Sequence, residues 1–242
     1  MSIKLSVIIP AYNEGQRLPQ TLDQVAAYLQ SQNYSYEVIV VENGSTDGTL
    51  EVAEQFAEGH KNFSVLQSSK GKGMAVHTGM LAARGDYRFM CDADLSMPVE
   101  ELAGFFPPVG PEVDVVIGSR EAEGAVRYDE PSNRHWGGRL VNLVIRLLAL
   151  PGLRDTQCGF KCFSARAADD LFAVQTVMGW SFDIEVLFVA RKRGYSIVEL
   201  GIPWYYSPQS HVRPVRDAIK MMLDIFKIRV NALQGKYAKK EV

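Results

Sequence analysis

The chain has 242 residues, of which 47% are hydrophobic and 22% charged, and its formal net charge is −2. This length accommodates one large α/β domain, or a domain with a short appendage, and is too short for two full domains. Because the charge is nearly balanced, the global basic excess of nucleic-acid-binding proteins is absent, and no nucleic-acid partner is predicted.

The cysteines and the hydropathy pattern predict the compartment. Cys91, Cys158 and Cys162 form no paired framework, which favours a reducing environment, and we interpret them as buried small residues rather than zinc ligands. No stretch reaches the about 20 apolar residues that cross a bilayer, and no secretory hydrophobic segment stands at the N-terminus. We therefore expect a cytoplasmic protein without a transmembrane segment, which contacts a membrane only peripherally.

The first half of the chain alternates short β-branched segments with segments of helical periodicity. Strands are predicted over residues 5–10, 37–41, 63–67, 87–91 and 113–119. Helices are predicted between them: one through Leu18 to Leu29, one capped by Ser45 or Thr46, and one over 74–83. Repeated strand–helix units of this length predict an α/β fold with a mostly parallel central sheet and helices on both faces.

After Arg120 the alternation changes. Residues 121–133 are polar and predicted to form a loop. Helices are predicted over 134–150, 182–193 and 214–233, a turn and strand over 155–163, and a strand over 197–203. We predict a single domain over 1–210, followed by a basic amphipathic helix and tail over 211–242.

Polar residues follow four of the predicted strands. They are Asn13 and Glu14, Glu42 and Asn43, Asp92 and Asp94, and Ser119 and Arg120. Ligands of open α/β sheets bind outside the carboxyl ends of the strands. The pattern therefore predicts one site at this edge.

Asp92-Ala93-Asp94 directly follows the fourth predicted strand. Two carboxylates around one small residue suit Mg²⁺ or Mn²⁺, hard cations that also bind diphosphate oxygens and would neutralise a leaving nucleoside diphosphate. The alternative is a pair of exposed turn or capping aspartates. The strand-end position favours a metal site to which at least one of the two carboxylates contributes an oxygen.

Three further segments carry groups suited to a nucleotide or a phosphate. Residues 10–14 offer an aromatic ring and a carboxylate for a nucleobase, or alternatively a helix cap. Residues 70–73, Lys-Gly-Lys-Gly, begin a helix whose N-terminus favours anions, or alternatively form a solvated turn. Arg120 ends a buried strand and suits phosphate, whereas for Arg127 and Arg139 a solvated position is equally compatible.

Together these residues resemble the inverting family 2 glycosyltransferases, and the likeness covers about residues 4–233. It rests on the segments 6–14 and 40–48 and on Asp92-Ala93-Asp94. Two further runs are similar to the branch of dolichyl-phosphate β-glucosyltransferases and polyprenyl-phosphate sugar synthases: Arg-Asp-Thr-Gln-Cys-Gly-Phe-Lys at 154–161 and Trp-Ser-Phe-Asp-Ile-Glu at 180–185. The resemblance implies a GT-A-type nucleotide-binding fold.

The resemblance also implies roles for individual residues. The nucleotide sugar is expected to contact Pro10, Tyr12, Glu14, Glu42, Asn43, Lys70, Gly71, Asp92, Ser210 and His211. The catalytic residues are expected to be Asp94, Arg120, Arg134, Asp155 and Gln157, and the metal ligands Asp94 and Asp92. Two positions depart from the family pattern: Glu42-Asn43 replaces a common Asp-Asp, and His211 replaces a usual Lys.

The implied activity is inverting transfer of a hexose from a nucleoside-diphosphate sugar, UDP-glucose or else GDP-mannose, to a polyprenyl or dolichyl phosphate. Arg120 and Arg134 would hold the acceptor phosphate, which is already an anion and needs no strong base. A soluble hydroxyl acceptor is an alternative, with Asp155 as the general base. A non-catalytic nucleotide-sugar-binding module is another, although the intact Asp92, Asp94 and Arg120 favour an enzyme.

The last predicted helix combines an apolar face with a basic surround. From His211 onward there are eight Lys and Arg against three Asp and Glu, a local charge of +5. This composition suits peripheral contact with an anionic membrane leaflet. The alternative is a helix that packs on the sheet with an ordinary solvated outer face.

Overall fold

Nine strands occur in the part of the chain that the computed structural model describes, residues 2–105, 113–129, 142–206 and 214–239. In chain order they are β1 (Leu5–Ala11), β2 (Tyr36–Glu42), β3 (Phe63–Gln67), β4 (Tyr87–Met90), β5 (Val115–Ser119), β6 (Val126–Tyr128), β7 (Lys161–Ser164), β8 (Ile197–Gly201) and β9 (Pro203–Tyr205). Seven of them form the central sheet in the order β3-β2-β1-β4-β7-β5-β8, and β6 pairs with β9 in a small second sheet.

Helices cover both faces of the central sheet. They are α1 (Leu18–Gln30), α2 (Thr49–Gly59), α3 (Lys72–Ala82), α4 (Leu102–Phe105, after a 3₁₀ turn at Val99–Glu101), α5 (142–148), α6 (Ala165–Phe172), α7 (Phe182–Lys192) and α8 (Pro214–Leu233). Alternate residues of β1 enter opposite cores: Ile8 packs with α3, α6 and α7, while Val7 and Ile9 pack with α1. The predicted α/β architecture is confirmed.

One strand of the central sheet, β7, runs against the others. The pairs β1–β2, β2–β3, β1–β4 and β5–β8 are parallel, whereas β7 is antiparallel to both β4 and β5. Lys161, its first residue, pairs with Met90 near the end of β4 and with Ile117 in β5. Residues that precede β7 therefore lie at the edge where β4 and β5 end.

The N-cap predicted at Ser45 or Thr46 is wrong, because α2 begins at Thr49 with Gly48 as its N-cap. The Ser45 hydroxyl and the Thr46 amide instead connect the loop after β2 with the loop after β1. Ser45 Oγ accepts a hydrogen bond from the Asn13 amide at 3.0 Å, and the Thr46 amide donates to Asn13 Oδ1 at 2.8 Å. The Ser45 hydroxyl, which an N-cap would have required, is thus used in a bond between loops.

Other elements also differ from the sequence-based prediction. The strand β6 lies within residues 121–133, which were predicted to form a loop. Helix α6 was not predicted; it starts directly after β7, where Ser164 Oγ accepts from the Ala167 amide as an N-cap. The strand predicted over 197–203 is two short strands, β8 and β9, in different sheets. Of the helix predicted over 134–150, residues 142–148 are helical, and 134–141 lie outside the described residues.

The C-terminal helix α8 is fixed to the rest of the fold along one face. Met221, Ile225 and Ile228 join the same core as α3, α6 and α7. Beyond the helix, the buried Tyr237 hydroxyl donates to Glu185 Oε1 on α7 at 2.5 Å. The predicted boundary between residues 210 and 211 falls in a segment outside the described residues, so this division stays a prediction.

Two predictions made from composition can be compared with the described residues. No helix among them is both long and apolar enough to cross a membrane. Cys91, Cys158 and Cys162 are all free and buried, as interpreted from the sequence.

Candidate active site

A cleft with a volume of about 610 Å³ opens at the carboxyl edge of the central sheet. Its walls come from the segments after β1, β2, β4 and β5, the start of α3, the loop before β7, and α8. The cleft brings together most of the residues predicted for the site: Pro10, Tyr12, Glu14, Asn43, Lys70, Gly71, Asp92, Asp94, Arg120 and Gln157.

Five predicted site residues are not part of the observed cleft lining. Glu42 is buried beneath the loop after β2, where its carboxylate accepts a hydrogen bond from the Ser45 amide. Asp155 is fully buried behind Arg120. Arg134, Ser210 and His211 lie outside the described residues, so their predicted roles stay predictions.

One end of the cleft carries aromatic and amide groups. Lys70 Nζ lies 4.2 Å from the centroid of the Tyr12 ring, which holds the two segments together. Asn43 is buried, and its Oδ1 atom has no hydrogen-bond partner among the described residues. Buried polar atoms normally have a partner, so an unpaired amide oxygen beside a cleft indicates a ligand that would donate to it.

Glu14 does not present a free carboxylate to the cleft, because Arg17 is paired with it. Arg17 Nη2 donates to Glu14 Oε1 at 2.6 Å, and this hydrogen bond raises the pKa of the Arg17 guanidinium. Arg17 lines the cleft as well, and Asp92 and Asp94 attract its charge. Arg17 is a cleft cation that the sequence motifs did not reveal.

The two aspartates of the Asp-Ala-Asp run have different surroundings. Lys72 Nζ lies 2.7 Å from Asp92 Oδ1 and 2.9 Å from its Oδ2, so the Asp92 charge is largely compensated. Asp94 accepts one hydrogen bond at Oδ1 from the Ser96 amide at 3.1 Å, and its Oδ2 bonds to none of the described residues. The next residue, Leu95, has a φ of 42°, an uncommon value for a side chain of this kind.

The loop before β7 lies directly against Asp92. A Cβ atom on Gly159 would lie 2.1 Å from Asp92 Oδ2 and 2.5 Å from its Cγ. Only glycine therefore allows this backbone to approach the carboxylate, which explains why the run at 154–161 contains a glycine at this position.

A second ion pair lies beneath the cleft. Lys161, at the start of β7, is buried and places its Nζ 2.7 Å from Asp183 Oδ1 at the start of α7. Burial raises the pKa of Asp183, while Lys161 and Lys72 act in the opposite direction. Burial alone would lower the pKa of Lys72, but the attraction of Asp92 and Asp183 outweighs the effect of burial and raises this pKa. The four charges thus alternate in sign from Lys161 to Asp92.

Sequence reasoning missed the roles of Lys72, Lys161 and Asp183, although all three belong to runs that it singled out. The available signal was a lysine at the start of an otherwise apolar strand, Lys161-Cys162-Phe163, which is unusual in a sheet interior. Such a lysine requires a buried partner, but the sequence does not identify which carboxylate supplies it.

On the opposite side of the cleft, Arg120 is held by Asp155. Arg120 Nε lies 2.6 Å from Asp155 Oδ2, Nη2 lies 2.9 Å from Oδ1, and the Arg120 amide donates to Oδ2 at 3.0 Å. Burial alone would raise the pKa of Asp155, but the attraction of Arg120 lowers it to about 2. The carboxylate is buried and fully engaged, a geometry that gives no support to the predicted general base and makes Asp155 a positioning residue.

Aromatic and basic side chains complete the cleft. Lys72 Nζ lies 5.1 Å from the Trp180 ring centroid, and the Arg120 guanidinium carbon lies 5.5 Å from that of Trp204. Helix α8 adds Arg216, Asp217 and Lys220 to the lining. The two tryptophans and the three α8 residues were not predicted as site residues, although the basic excess of the last helix was noted.

The aspartates are the groups that would hold a divalent ion. Among the described residues, no cluster of three or more His, Cys, Asp or Glu has the arrangement of a complete metal site. Mg²⁺ usually binds through one or two carboxylates together with water and substrate phosphates. Asp94, with its uncommitted oxygen in the cleft, fits an ion that is shared with a bound diphosphate.

Comparison with known proteins adds independent findings. Residues 6–172 match the family model described as glycosyl transferase family 2. The chain is 35% identical to the dolichyl-phosphate beta-glucosyltransferase of Drosophila melanogaster, with 97% of this chain and 77% of that protein covered. It is 32% identical to the human protein of that name, with 96% and 76% covered.

Among solved structures, the fold is similar to glucosyl-3-phosphoglycerate synthase from Mycobacterium tuberculosis, in a complex with Mn²⁺, UDP and phosphoglyceric acid. The TM-score is 0.69, the identity is 18%, and the alignment covers 99% of this chain and 80% of that chain. At this identity the likeness shows the fold, and it confirms the GT-A architecture.

The contact between Gly159 and Asp92 leads to a first prediction. We expect Gly159→Ala to lower the free energy of unfolding by about 1–3 kcal/mol, because the added methyl group forces Asp92 and the loop apart. Gly179→Ala is the matched control, since a Cβ there meets nothing within 4 Å. Urea unfolding of both variants measures the difference, and equal stability of the two would contradict the assigned contact.

The ion pair between Arg120 and Asp155 leads to a second prediction. Arg120→Met leaves a buried carboxylate without its partner, and we expect a loss of about 3–5 kcal/mol in the free energy of unfolding at pH 7. Because pairing holds the Asp155 pKa near 2, below its ordinary 3.8, its contribution is present above about pH 4 and disappears as the pH falls towards 2. The difference from the wild type should therefore shrink over that range.

Arg166→Met is the control for this measurement, because it removes an exposed guanidinium from Asp114, and exposed pairs contribute little. Chemical denaturation at several pH values gives the comparison. A loss for Arg120→Met that does not exceed the control, or that is constant from pH 7 to pH 3, would show that Arg120 does not stabilise the Asp155 charge.

Proposed function

Because this chain belongs to glycosyl transferase family 2, we propose that it transfers glucose from UDP-glucose to dolichyl or another polyprenyl phosphate, with inversion at the anomeric carbon. The proposal rests most heavily on the division of the cleft. Asp92 and Asp94 stand on one side and Arg120 stands on the other, and the basic residues Arg216 and Lys220 of α8 line the same cleft. The names of the curated relatives support glucose and the lipid phosphate.

The donor nucleotide is assigned to the end of the cleft formed after β1 and β2. The Tyr12 ring offers a surface for a base, and the buried, unpaired Asn43 Oδ1 would accept a hydrogen bond from it. Pro10, Gly71 and the Lys70 ammonium border the same space. UDP-glucose is the favoured donor, and GDP-mannose is the second candidate.

The diphosphate is assigned to the space beside Asp94. Mg²⁺ or Mn²⁺, when bound there, would offset the negative charge of the leaving nucleoside diphosphate. Asp94 would hold the ion, with Asp92 as a second ligand. Lys72 keeps the Asp92 carboxylate fixed, and Gly159 allows the loop to close against it.

The acceptor phosphate is assigned to Arg120. Asp155 orients the Arg120 guanidinium through Nε and Nη2, and this positively charged, planar group lines the cleft, which suits a phosphate. Arg216 and Lys220 add positive charge nearby, and Gln157 lines the space between the two sides. Arg134 is proposed as a further phosphate ligand on the strength of the sequence resemblance.

This arrangement favours a phosphate over a hydroxyl acceptor. The anionic phosphate oxygen attacks the anomeric carbon without losing a proton, whereas a hydroxyl requires a base within reach. Glu14 is paired with Arg17, Asp92 is paired with Lys72, and Asp155 is paired with Arg120. Each of these carboxylates is therefore held by a cation.

The test uses purified protein, Mn²⁺, and radiolabelled UDP-glucose or GDP-mannose. Dolichyl phosphate is compared with dolichol, which has the same chain and a hydroxyl head. We expect label to move from UDP-glucose to the phosphate and not to dolichol, and the product to have the β configuration by NMR. Transfer to dolichol at a similar rate would overturn the acceptor, and binding of the donor without any transfer would indicate a binding module.

Asp94→Ala provides a sharper test of the donor site. We expect kcat to fall by at least about 10²–10³-fold, because the metal ion that would offset the charge of the leaving diphosphate would lose its protein ligand. Asp86→Ala is the control, because it removes a half-exposed carboxylate that is paired with Lys4 and lies at the opposite end of β4 from Asp94. A near-normal kcat for Asp94→Ala with Mn²⁺ present would exclude the role given to Asp94.

A further inference from the structure

Exposed hydrophobic side chains are concentrated on α5 and α8. We define the apolar surface as Leu143, Leu147, Ile219, Met222, Leu223 and Phe226. Leu147 is 72% exposed, Leu223 65% and Phe226 70%. Isolated exposed apolar residues are normal in globular proteins, but a contiguous group of this kind marks an interaction site.

The two helices that carry the apolar surface are in direct contact. Arg229 Nε on α8 donates to the Leu148 carbonyl at the end of α5 at 2.9 Å. Arg229 is three residues, or about one helical turn, from Phe226, and Leu148 is adjacent to Leu147. The exposed leucines of α5 are therefore continuous with the exposed stripe of α8.

Helix α8 has three faces with different surroundings. Met221, Ile225 and Ile228 are buried in the core, while Arg216, Asp217 and Lys220 line the cleft. The stripe of Ile219, Met222, Leu223 and Phe226 has the spacing of three to four residues that places side chains on one side of a helix. This third side is exposed and borders the side that faces the cleft.

Basic side chains border the apolar stripe on both sides. Lys220 and Lys227 lie on the side towards the cleft, and Arg229 lies on the other, all three exposed. Arg146 is exposed next to Leu147 on α5. The acidic residues of α8 are Asp217, on the cleft side, and Asp224, near the buried side, so neither interrupts the apolar stripe.

We propose that the apolar surface docks onto an anionic phospholipid bilayer, with Phe226 and Leu223 at the level of the acyl chains and the basic border at the head groups. An interfacial helix has this combination of an apolar stripe and flanking Lys and Arg side chains. The inference goes beyond the proposed function, since membrane binding requires no sugar transfer.

A second copy of the chain is a less suitable occupant. In a two-fold dimer the same surface meets its own copy, so the basic border of one copy would lie near the identical border of the other. Like charges in such a contact repel each other. An anionic bilayer instead offers charges opposite to those of the border.

The test measures sedimentation with vesicles of phosphatidylcholine, with and without phosphatidylserine. The wild type should bind the vesicles that contain phosphatidylserine, and less strongly at high salt. The double variant Leu223→Gln/Phe226→Gln should bind at least about tenfold more weakly. Leu81→Gln is the matched control, since Leu81 is an exposed leucine on α3 and not one of the residues that define the apolar surface, and the binding of this variant should equal that of the wild type.

Undiminished vesicle binding by the double variant would overturn the proposal. A second outcome would also overturn it: the wild type forms a dimer in sedimentation velocity, and the double variant loses the dimer but keeps its vesicle binding. The second copy would then be the occupant of the apolar surface. Transfer to a short, water-soluble prenyl phosphate separates this outcome from failure of the proposed function. Both proteins should glucosylate that acceptor equally, and inactivity of the wild type there would reject the activity while leaving the membrane result intact.

Discussion

Because β7 runs antiparallel between β4 and β5, the chain enters it at the sheet edge where those two strands end. The loop at 155–160 is therefore placed between the aspartates that follow β4 and the arginine that follows β5. It contacts both: Gly159 lies against Asp92, and Asp155 binds Arg120. A parallel strand at this position would deliver the loop to the opposite edge. The two sides of the cleft thus depend on the direction of one strand.

The charges beneath the cleft depend on the same strand. Lys161 opens β7, pairs with Asp183, and together they lie behind Lys72 and Asp92. Removing a buried charge from water is unfavourable unless an opposite charge stands beside it, and the loss of one partner leaves the other uncompensated. Lys161 and Asp183, which are buried and are not part of the cleft lining, then help Asp92 to keep its position. This accounts for a buried lysine in the run 154–161 and a buried aspartate in the run 180–185.

Much of the fold and cleft was predictable, because buried parallel strands have a simple signature and their ends meet at one edge. That rule alone placed Asn43, Asp94 and Arg120 together. It could not give the direction of a side chain, so Asp155 was expected in the cleft although it faces Arg120. Hydrogen bonds between residues that are distant in the sequence could not be predicted either. Ser45 was expected to cap a helix, but Asn13, from another loop, binds it instead. For the last helix, membrane contact and packing on the sheet with a solvated outer face were posed as alternatives. One face of α8 is packed in the core and another is exposed, and membrane contact stays a proposal.

The three faces of α8 also set a distance. An α-helix with its side chains is about 10–12 Å across. On the proposed docking, Phe226 lies at the membrane, whereas Lys220 borders the cleft and Met221 is fixed in the core. Helix α8 then holds the cleft within about one helix width of the lipid. An acceptor would then be selected by the distance its phosphate extends from the bilayer while its hydrocarbon tail stays embedded. Lengthening that tail at its far end would leave this distance unchanged.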